Sequence, residues 1–370
     1  MEVNFGSSSA FSVGIEEEFQ IVNESSLELV SRFDEVAEAA GEDSRIKPEL
    51  LQSTVEVATH VAANVGAAIE EASGLRERLR AAADDHGTLI VGAGTHPFSR
   101  YQDQEVTDES RYRELIEAMQ WVAERELIFG LHVHVGLSDP QTAIAVANGL
   151  RTWLPELLAL SANSPFWHGR DTGLASTRIK VFDPFPRSGM PPAFSSWEEF
   201  ELLVERGVTT NSFPDYTYIW WDLRPHPKLG TIEVRICDAQ TRLANVSGLV
   251  ALVQSLVAAL ADRFERDGHV PSQPRPLIEE NKWRAARYGL DAELIWLEQD
   301  EERPARDALG ALVELARPAA RRLGCSAELD EVERICARGT GADEQRSIYD
   351  ERRTLLAVTQ WLASCTTSGC

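Results

Sequence analysis

The chain has 370 residues, of which 43% are hydrophobic and 26% are charged, so its composition is that of a globular protein with a sizeable core. Its formal net charge of −23 would repel phosphate backbones, which argues against nucleic acid as a partner. The five cysteines are odd in number and form no C-x-x-C pair, and the N-terminus lacks the basic and apolar regions of a signal peptide. We therefore expect a cytoplasmic protein without a disulfide framework.

Alternating apolar and polar residues predict strands in the first two-thirds of the chain. These strands cover residues 13–22, 52–59, 88–93, 128–137, 216–223 and 231–237. The last two are predicted to pair across a turn-rich stretch, residues 224–230, and residues 177–181 show the same alternation.

Helical periodicity predicts the remaining regular structure. The predicted helices cover residues 64–85, 107–126, 140–160 and 243–266, and the chain is mostly helical after about residue 275, with N-caps at Asn281 and Ser326. The helix at 243–266 is apolar but contains polar side chains, so a buried helix is favoured over a membrane span. The irregular stretch 163–196 has the length of a functional loop.

One face of the predicted sheet is apolar, and the opposite face collects charged side chains. That face holds Glu16, Glu18, Glu56, Glu233, His132, His134, Arg178, Lys180, Asp222, Arg224 and Arg235. For a single strand, an ordinary solvated face is the simplest interpretation. The set is unusual because its acidic strands carry no basic residue, and crowded carboxylates repel one another unless a cation lies between them. Glu17 falls on the apolar side for no reason visible in the sequence.

Four carboxylates with an imidazole are an oxygen-rich ligand set that suits Mg²⁺ or Mn²⁺ better than zinc. The basic residues on the same face are then candidate clamps for phosphates or carboxylates. The sequence has no G-x-x-x-x-G-K-[ST] loop, no H-E-x-x-H motif, no G-x-S-x-G motif, and no G-x-G-x-x-G after a strand. The pattern therefore indicates nucleotide-phosphate chemistry on an open sheet.

Several motifs, in order, resemble the type 2 glutamate–cysteine ligase family of carboxylate–amine ligases, from about residue 11 to about residue 360. They are Val13-Gly-Ile-Glu-Glu-Glu-Phe19, Gly130-Leu-His-Val-His-Val-Gly136, Asn163-Ser-Pro-Phe-Trp167, Asp222-Leu-Arg-Pro-His-Pro227 and Thr231-Ile-Glu-Val-Arg-Ile-Cys-Asp238. The resemblance implies one catalytic domain over residues 1–370 of α+β class. Its curved, mostly antiparallel sheet would form an active-site funnel, with helices on the outer face and a helical C-terminal third.

The resemblance also implies a reaction and its participants. ATP would phosphorylate a substrate carboxylate, glutamate for the family, and an amine such as cysteine would attack the acyl phosphate. The implied metal ligands are Glu16, Glu18, Glu56, His132 and Glu233. Arg235 would lie beside the transferred phosphoryl group, where Glu233 and Arg178 are further catalytic candidates, and ATP would contact Lys180, Arg224, His134 and Arg235.

The resemblance further implies a homodimer, and the polar residues of the helix at 243–266 argue against a membrane partner. One departure concerns Thr177, a position near the presumed substrate loop where family members often carry an aromatic residue. Two other functions remain open: a metal-dependent phosphotransferase or hydrolase on the same funnel, and a binding protein without catalytic activity on a ligase scaffold.

Overall fold

The computed structural model describes residues 1–296 and 299–368. Its strands are β1 (Val13–Asn23), β2 (Ile46–Pro48), β3 (Thr54–Ala58), β4 (Thr88–Val91), β5 (Gly130–Gly136), β6 (Phe166–Trp167), β7 (Arg170–Asp171), β8 (Ser188–Gly189), β9 (Trp220–Trp221), β10 (Leu223–His226), β11 (Thr231–Asp238), β12 (Glu293–Trp296) and β13 (Glu301–Pro304). Its helices are α1 (Phe33–Ala40), α2 (Val65–Asp84), α3 (Ser110–Met119), α4 (Trp121–Glu124), α5 (Pro140–Leu150), α6 (Leu154–Ser161), α7 (Arg178–Phe182), α8 (Trp197–Thr209), α9 (Leu243–Asp267), α10 (Arg275–Tyr288), α11 (Ala305–Leu323), α12 (Ser326–Leu329), α13 (Glu331–Arg338), α14 (Gly341–Arg352) and α15 (Leu355–Ser368).

A seven-stranded sheet organises the fold, in the order β10-β11-β5-β1-β3-β2 with β4 also pairing with β1. Every pairing within this sheet is antiparallel, which confirms the predicted α+β class. The register between β11 and β5 shifts between Val234 and Cys237. Such a bulge bends a strand and re-aims its side chains.

The apolar face of the sheet is a buried core covered by helices. Ile15, Val133, Val135 and Val234 lie in one hydrophobic cluster with residues of α5, α6, α9 and α11. Helix α9 has the length and composition of a membrane span, but 78% of its most apolar window is buried inside the protein. It is therefore the core helix that the sequence predicted.

An ion pair inside the protein accounts for Glu17, the glutamate on the apolar side of β1. Arg76 of α2 donates to both of its carboxylate oxygens, with its Nε at 3.1 Å from Oε2. The guanidinium also donates to the backbone carbonyls of Gln240 and Thr241. A charge is tolerated in a core when it is paired and hydrogen-bonded in this way.

Several predicted elements are placed differently. The strand that pairs with β11 in place of the predicted strand at 216–223 is β10, most of which lies in the stretch predicted as a turn. Pro225 is tolerated in β10 because this is an edge strand, in which fewer backbone N–H groups are needed for pairing. The predicted helix at 107–126 is broken at Gln120, whose φ is 49°, and the one at 140–160 is interrupted by a 3-10 turn before Pro155. Residues 177–181 are not a strand, because Arg178–Phe182 forms the short helix α7.

The C-terminal third is helical apart from the β12–β13 hairpin, which the sequence analysis missed. Asn281 is not an N-cap but lies inside α10, where its side chain bonds both the N–H and the carbonyl of Ile295. Ser326 is the first residue of α12 rather than its cap. Cys237, Cys325 and Cys336 are free, whereas Cys365 is disulfide-bonded.

Candidate active site

Strand register alone gathers most of the predicted charged residues. Glu16 lies opposite His132 on β5, and Glu18 lies opposite Glu56 on β3. On the other side of β5, His134 lies opposite Glu233, which in turn lies opposite Arg224 on β10. Side chains that face each other on neighbouring strands of one sheet face are in contact distance.

These residues form the floor of a cavity of about 350 Å³. From the sheet it is lined by Glu16, Glu18, Glu56, His132, His134, Arg224, His226, Glu233 and Arg235. The wall is completed by residues of connecting segments, of helices and of the short strand β9, namely Glu49, Arg111, Tyr112, Glu126, Arg178, Phe182, Phe185, Tyr218 and Trp220. The charged floor and partly aromatic wall can receive a polar ligand with an apolar part.

Three groups of ligand atoms lie close enough to share a metal ion. They are Glu16 with Glu56 and His132, Glu16 with His134 and Glu233, and Glu18 with Glu49 and Glu56, and within each group the atoms lie within 4.8 Å of one another. Glu16 and Glu56 each belong to two groups. Adjacent groups with common carboxylates can hold neighbouring ions that are bridged by one side chain.

The two imidazoles are held by one nitrogen and leave the other without a hydrogen bond. His132 Nδ1 lies 3.2 Å from Glu16, and His134 Nδ1 lies 3.1 Å from the hydroxyl of Thr231. Among the described residues, neither Nε2 has a hydrogen-bond partner. They lie 3.7 Å from Glu18 and 3.6 Å from Glu16 respectively. Two ligands of one six-coordinate ion are about 3 to 4 Å apart, so these gaps fit a shared cation.

The carboxyl groups of Glu49 and Glu56 are crowded against each other and against Glu18, although Lys47 pairs with Glu56 at 3.0 Å. Burial and the carboxylates of Glu56 and Glu18 raise the pKa of Glu49 well above its usual range. Burial also raises the pKa of Glu56 to about 7, with Glu16 adding to the rise and Lys47 opposing it. Crowding of this kind is relieved by a divalent cation, and the oxygen-rich donor set suits Mg²⁺ or Mn²⁺.

Glu233 connects the metal-ligand candidates to two guanidinium groups. Arg224 Nε donates to Glu233 Oε2 at 2.7 Å, and Arg235 donates to Oε1. Burial alone would raise the pKa of Glu233, but Arg224, Arg235 and His134 hold it well below its usual range. The carboxyl is therefore ionised. Arg235 Nε is buried and has no hydrogen-bond partner among the described residues.

Arg178 and Glu126 are a second pair of charged residues in the cavity wall, near the start of β5. Arg178 donates to the backbone carbonyls of Arg235 and Ile236 at 3.2 and 3.3 Å. A Cβ at Gly130 would collide with this guanidinium, so a larger residue at that position would displace it. Glu126 lines the same region, its Oε2 has no partner among the described residues, and burial raises its pKa to about 8.

Two predicted residues do not reach the cavity. Lys180 was assigned to the charged face on the assumption of a strand. In α7 it instead pairs with Asp183 at 2.8 Å and lies over the ring of Trp283. Asp222 is buried and pairs with Lys282 of α10 at 2.6 Å. Arg178 does line the cavity, although the strand alternation that singled it out is absent.

The sequence analysis missed Glu49, Glu126 and His226. Glu49 and Glu126 lie in segments without strand alternation, so no periodicity marked them. His226 lay in the stretch predicted as a turn, yet on β10 its ring lies 5.7 Å from the ring of His134, centroid to centroid. The acidic character of Glu49-Leu-Leu-Gln beside a predicted strand was the one available signal.

Comparisons with known proteins identify the family of the chain. Residues 12–357 match the family described as glutamate-cysteine ligase family 2. A protein of Rubrobacter xylanophilus named "Putative glutamate--cysteine ligase 2-1" is 45% identical over 358 residues, 96% of this chain and 94% of that protein. One of Sorangium cellulosum, named "Putative glutamate--cysteine ligase 2", is 45% identical over 352 residues, 94% of each.

Solved structures show the same fold at low identity. The glutamate–cysteine ligase of Francisella tularensis, solved in complex with AMP, has a TM-score of 0.73 at 15% identity and covers 98% of this chain and 90% of that one. A bifunctional glutathione synthetase from Pasteurella multocida has a TM-score of 0.69 at 14% identity, covering 97% of this chain and 52% of that one. The family match and the relatives identify an enzyme of the carboxylate–amine ligase class. Within it, the chain belongs to the glutamate–cysteine ligase family 2.

Proposed function

We propose that this ligase is driven by ATP and a divalent cation, Mg²⁺ or Mn²⁺, and that it acts through an acyl phosphate. The observation that carries the proposal is the set of three carboxylate-rich ligand groups beside the guanidiniums of Arg224 and Arg235 in one cavity. Phosphoryl transfer needs this combination, because negative charge must be offset on the phosphate oxygens on every side.

The candidate metal ligands are Glu16, Glu18, Glu49, Glu56, His132, His134 and Glu233. Bound divalent cations would offset the charge of the β- and γ-phosphates during transfer. The protein's own part is to hold the carboxylates close together before substrate arrives. Glu16 is suited to this because His134 and His132, acting against burial, hold its pKa well below the usual range.

The proposed reaction has two steps, phosphorylation of the carboxylate and then formation of the amide. An oxygen of the substrate carboxylate attacks the γ-phosphorus of ATP, and ADP leaves. The amine then attacks the carbonyl carbon of the acyl phosphate, inorganic phosphate leaves, and the nitrogen loses a proton to give the amide. Arg235, whose side chain lines the cavity, is proposed to contact the transferred phosphoryl group, and Arg224 to support it through Glu233. Arg178, whose guanidinium lies beside Gly130 in the cavity wall, is proposed to contact the substrate carboxylate.

Glutamate as the carboxylate and cysteine as the amine are proposed from the family and the names of its relatives. The aromatic wall formed by Tyr112, Phe182, Phe185 and Trp220 would cover the organic part of the substrates and limit hydrolysis of the acyl phosphate.

The test is ADP release from Mg-ATP and glutamate, with and without a panel of amines that includes cysteine. The ligase predicts release that depends on both substrates. Glu18→Gln should lower kcat/KM at least about 100-fold, because a ligand of the cation is lost. The matched control Glu24→Gln, at an exposed position just after β1, should leave it unchanged.

Other outcomes would support the alternatives. ADP release that needs no amine indicates a hydrolase or phosphotransferase, and a phosphorylated product identifies the latter. Thermal unfolding that does not respond to Mg²⁺ and a non-hydrolysable ATP analogue would contradict the enzyme and support a binding protein on the ligase scaffold.

A further inference from the structure

His226, at the end of β10, lines the cavity but belongs to none of the three groups of metal-ligand candidates. Its ring is held between two other rings. The ring of His134 lies 5.7 Å away and that of Tyr216 5.2 Å away, centroid to centroid, and both meet it edge to face. This packing fixes the plane of the imidazole and therefore the directions of its two nitrogens.

The Nδ1 atom of His226 accepts a hydrogen bond from the chain itself. The backbone N–H of Leu229 donates to it at 3.2 Å, across the turn that follows β10. The hydroxyl of Tyr216 lies 3.5 Å from the same nitrogen and can donate to the same lone pair. Because Nδ1 acts as an acceptor, a neutral imidazole carries its proton on Nε2, and a protonated one has a proton there as well. Nε2 is thus a hydrogen-bond donor, and it cannot ligate a metal ion while the bond from Leu229 persists.

This donor is accessible and has no partner within the protein. Among the described residues, nothing forms a hydrogen bond with His226 Nε2. Unlike the Nε2 atoms of His132 and His134, it is not a buried atom, and His226 as a whole is only partly buried. The wall of the cavity therefore presents an N–H group that a bound ligand can reach.

The turn after β10 does not itself require an imidazole. Asn or Asp could cap it equally well, because their side-chain oxygens accept hydrogen bonds from backbone N–H groups two or three residues further on. The imidazole of His226 is longer, and its second nitrogen contributes nothing to the turn. A structural role thus accounts for Nδ1 and leaves Nε2 unexplained.

The surroundings of His226 favour an anionic acceptor for this N–H. His134, whose ring packs against it, belongs to the ligand group with Glu16 and Glu233. Arg224, two residues earlier on the same face of β10, is bonded to Glu233. A divalent cation held by that group would bind phosphate or carboxylate oxygens and bring them to this end of the cavity.

We propose that His226 is a substrate-binding residue whose Nε2–H donates to an anionic oxygen. That oxygen belongs either to the phosphate chain of the nucleotide or to the carboxylate of the acid substrate, which offer the same chemistry to the N–H. The role rests on the proposed function, since both ligands are substrates of that reaction, but it is measured by binding without turnover.

Two substitutions separate the donor from the turn. His226→Asn keeps a side-chain oxygen near the place of Nδ1, so the turn remains capped, but it has no atom at the place of Nε2. His226→Gln brings an amide N–H near the place of Nε2 and gives up the bond from Leu229. Isothermal titration calorimetry in saturating Mg²⁺ measures the binding of a non-hydrolysable ATP analogue and, separately, of glutamate. Electron paramagnetic resonance measures the binding of Mn²⁺ without substrate.

We expect His226→Asn to bind at least one of the two ligands about tenfold more weakly, and His226→Gln to bind it nearly as well as the wild type. The ligand with the larger loss identifies the source of the oxygen, phosphate for the analogue and carboxylate for glutamate. Mn²⁺ should bind to both variants as it does to the wild type. His134→Asn, the same substitution at a metal-ligand candidate, should weaken Mn²⁺ binding.

Three results would overturn the proposal. They are unchanged affinity of His226→Asn for both ligands, an equal loss in His226→Asn and His226→Gln, and weaker Mn²⁺ binding in His226→Asn. The first would leave His226 with its turn alone, and the third would make it a metal ligand. A wild type that binds neither ligand would contradict the proposed function together with this role.

Discussion

At the scale of single residues, three consecutive glutamates in β1 have different surroundings. Glu16 and Glu18 line the cavity, whereas Glu17 pairs with Arg76 in the core. Strand periodicity predicted the first two correctly. It could not explain the third, because the partner lies 59 residues further along the chain on a helix. Local alternation determines the face on which a side chain lies, and only the packed fold determines what it meets there.

The Glu17–Arg76 pair gives a stability prediction. Both side chains are at most 4% exposed, so Glu17→Gln leaves a buried guanidinium without its counter-charge. We expect the free energy of unfolding to fall by about 3 kcal/mol, measured by urea denaturation. Glu77→Gln, which breaks an exposed pair with Arg80, is the matched control and should leave the free energy of unfolding nearly unchanged. Equal effects of the two substitutions would contradict this account of the core.

Glu49 gives a prediction about the free energy of unfolding, and its sign depends on whether a divalent cation is present. Its pKa is raised in the folded state, so keeping it ionised above about pH 5 costs folding stability when no cation is present. In EDTA at pH 8, Glu49→Gln should therefore raise the free energy of unfolding by about 1–2 kcal/mol, and it should lose that advantage near pH 4.

The same substitution should reduce the stabilisation produced by Mg²⁺, because one ligand of the ion is gone. Thermal unfolding of both proteins in EDTA and in MgCl₂ measures both effects. If Glu49→Gln destabilises the protein in EDTA and responds to Mg²⁺ like the wild type, Glu49 is not part of a cation site.

At the scale of elements, short segments limited what the sequence could predict. Residues 177–181 alternate like a strand, but Arg178–Phe182 forms the short helix α7. The prediction was wrong because five residues are too few for periodicity to distinguish a strand from a helix. The error displaced Lys180 from the site, while Arg178 still lines the cavity. The long strands β1, β5 and β11 were predicted with their faces correct, because seven or more residues of alternation define a face without ambiguity.

The start of β5 gives a prediction about positioning. A Cβ at Gly130 would collide with the guanidinium of Arg178 and contact His132, so Gly130→Ala should displace Arg178. We expect kcat/KM to fall about tenfold or more with the fold retained.

Gly74→Ala is the matched control, because outside the neighbouring helix backbone no atom of the described residues lies within 4 Å of a Cβ added at this helical position. It should leave activity unchanged and raise the free energy of unfolding by about 0.5–1 kcal/mol. Circular dichroism and steady-state kinetics check both variants. A fully active Gly130→Ala would mean that the position of Arg178 does not matter for the reaction.

At the scale of the whole molecule, the two faces of one sheet have different roles. Its apolar face is covered by α5, α6 and α9 and supplies the core, and its charged face forms the floor of the ligase cavity. Because a period of two separates the faces in every strand, the sequence was sufficient to predict the sheet's polarity and most of the metal-ligand candidates. The walls come from loops and short helices, and the sequence did not predict Glu49 and Glu126 there.

The central claim is that an oxygen of the substrate carboxylate becomes bonded to phosphorus, and isotope transfer tests it most directly. The enzyme is supplied with glutamate carrying ¹⁸O in its side-chain carboxylate, Mg-ATP and an amine that supports turnover, and the inorganic phosphate is analysed by mass spectrometry. An acyl phosphate predicts one ¹⁸O in each phosphate released and ADP as the nucleotide product. Phosphate without ¹⁸O, or AMP carrying the label, would contradict the proposed mechanism.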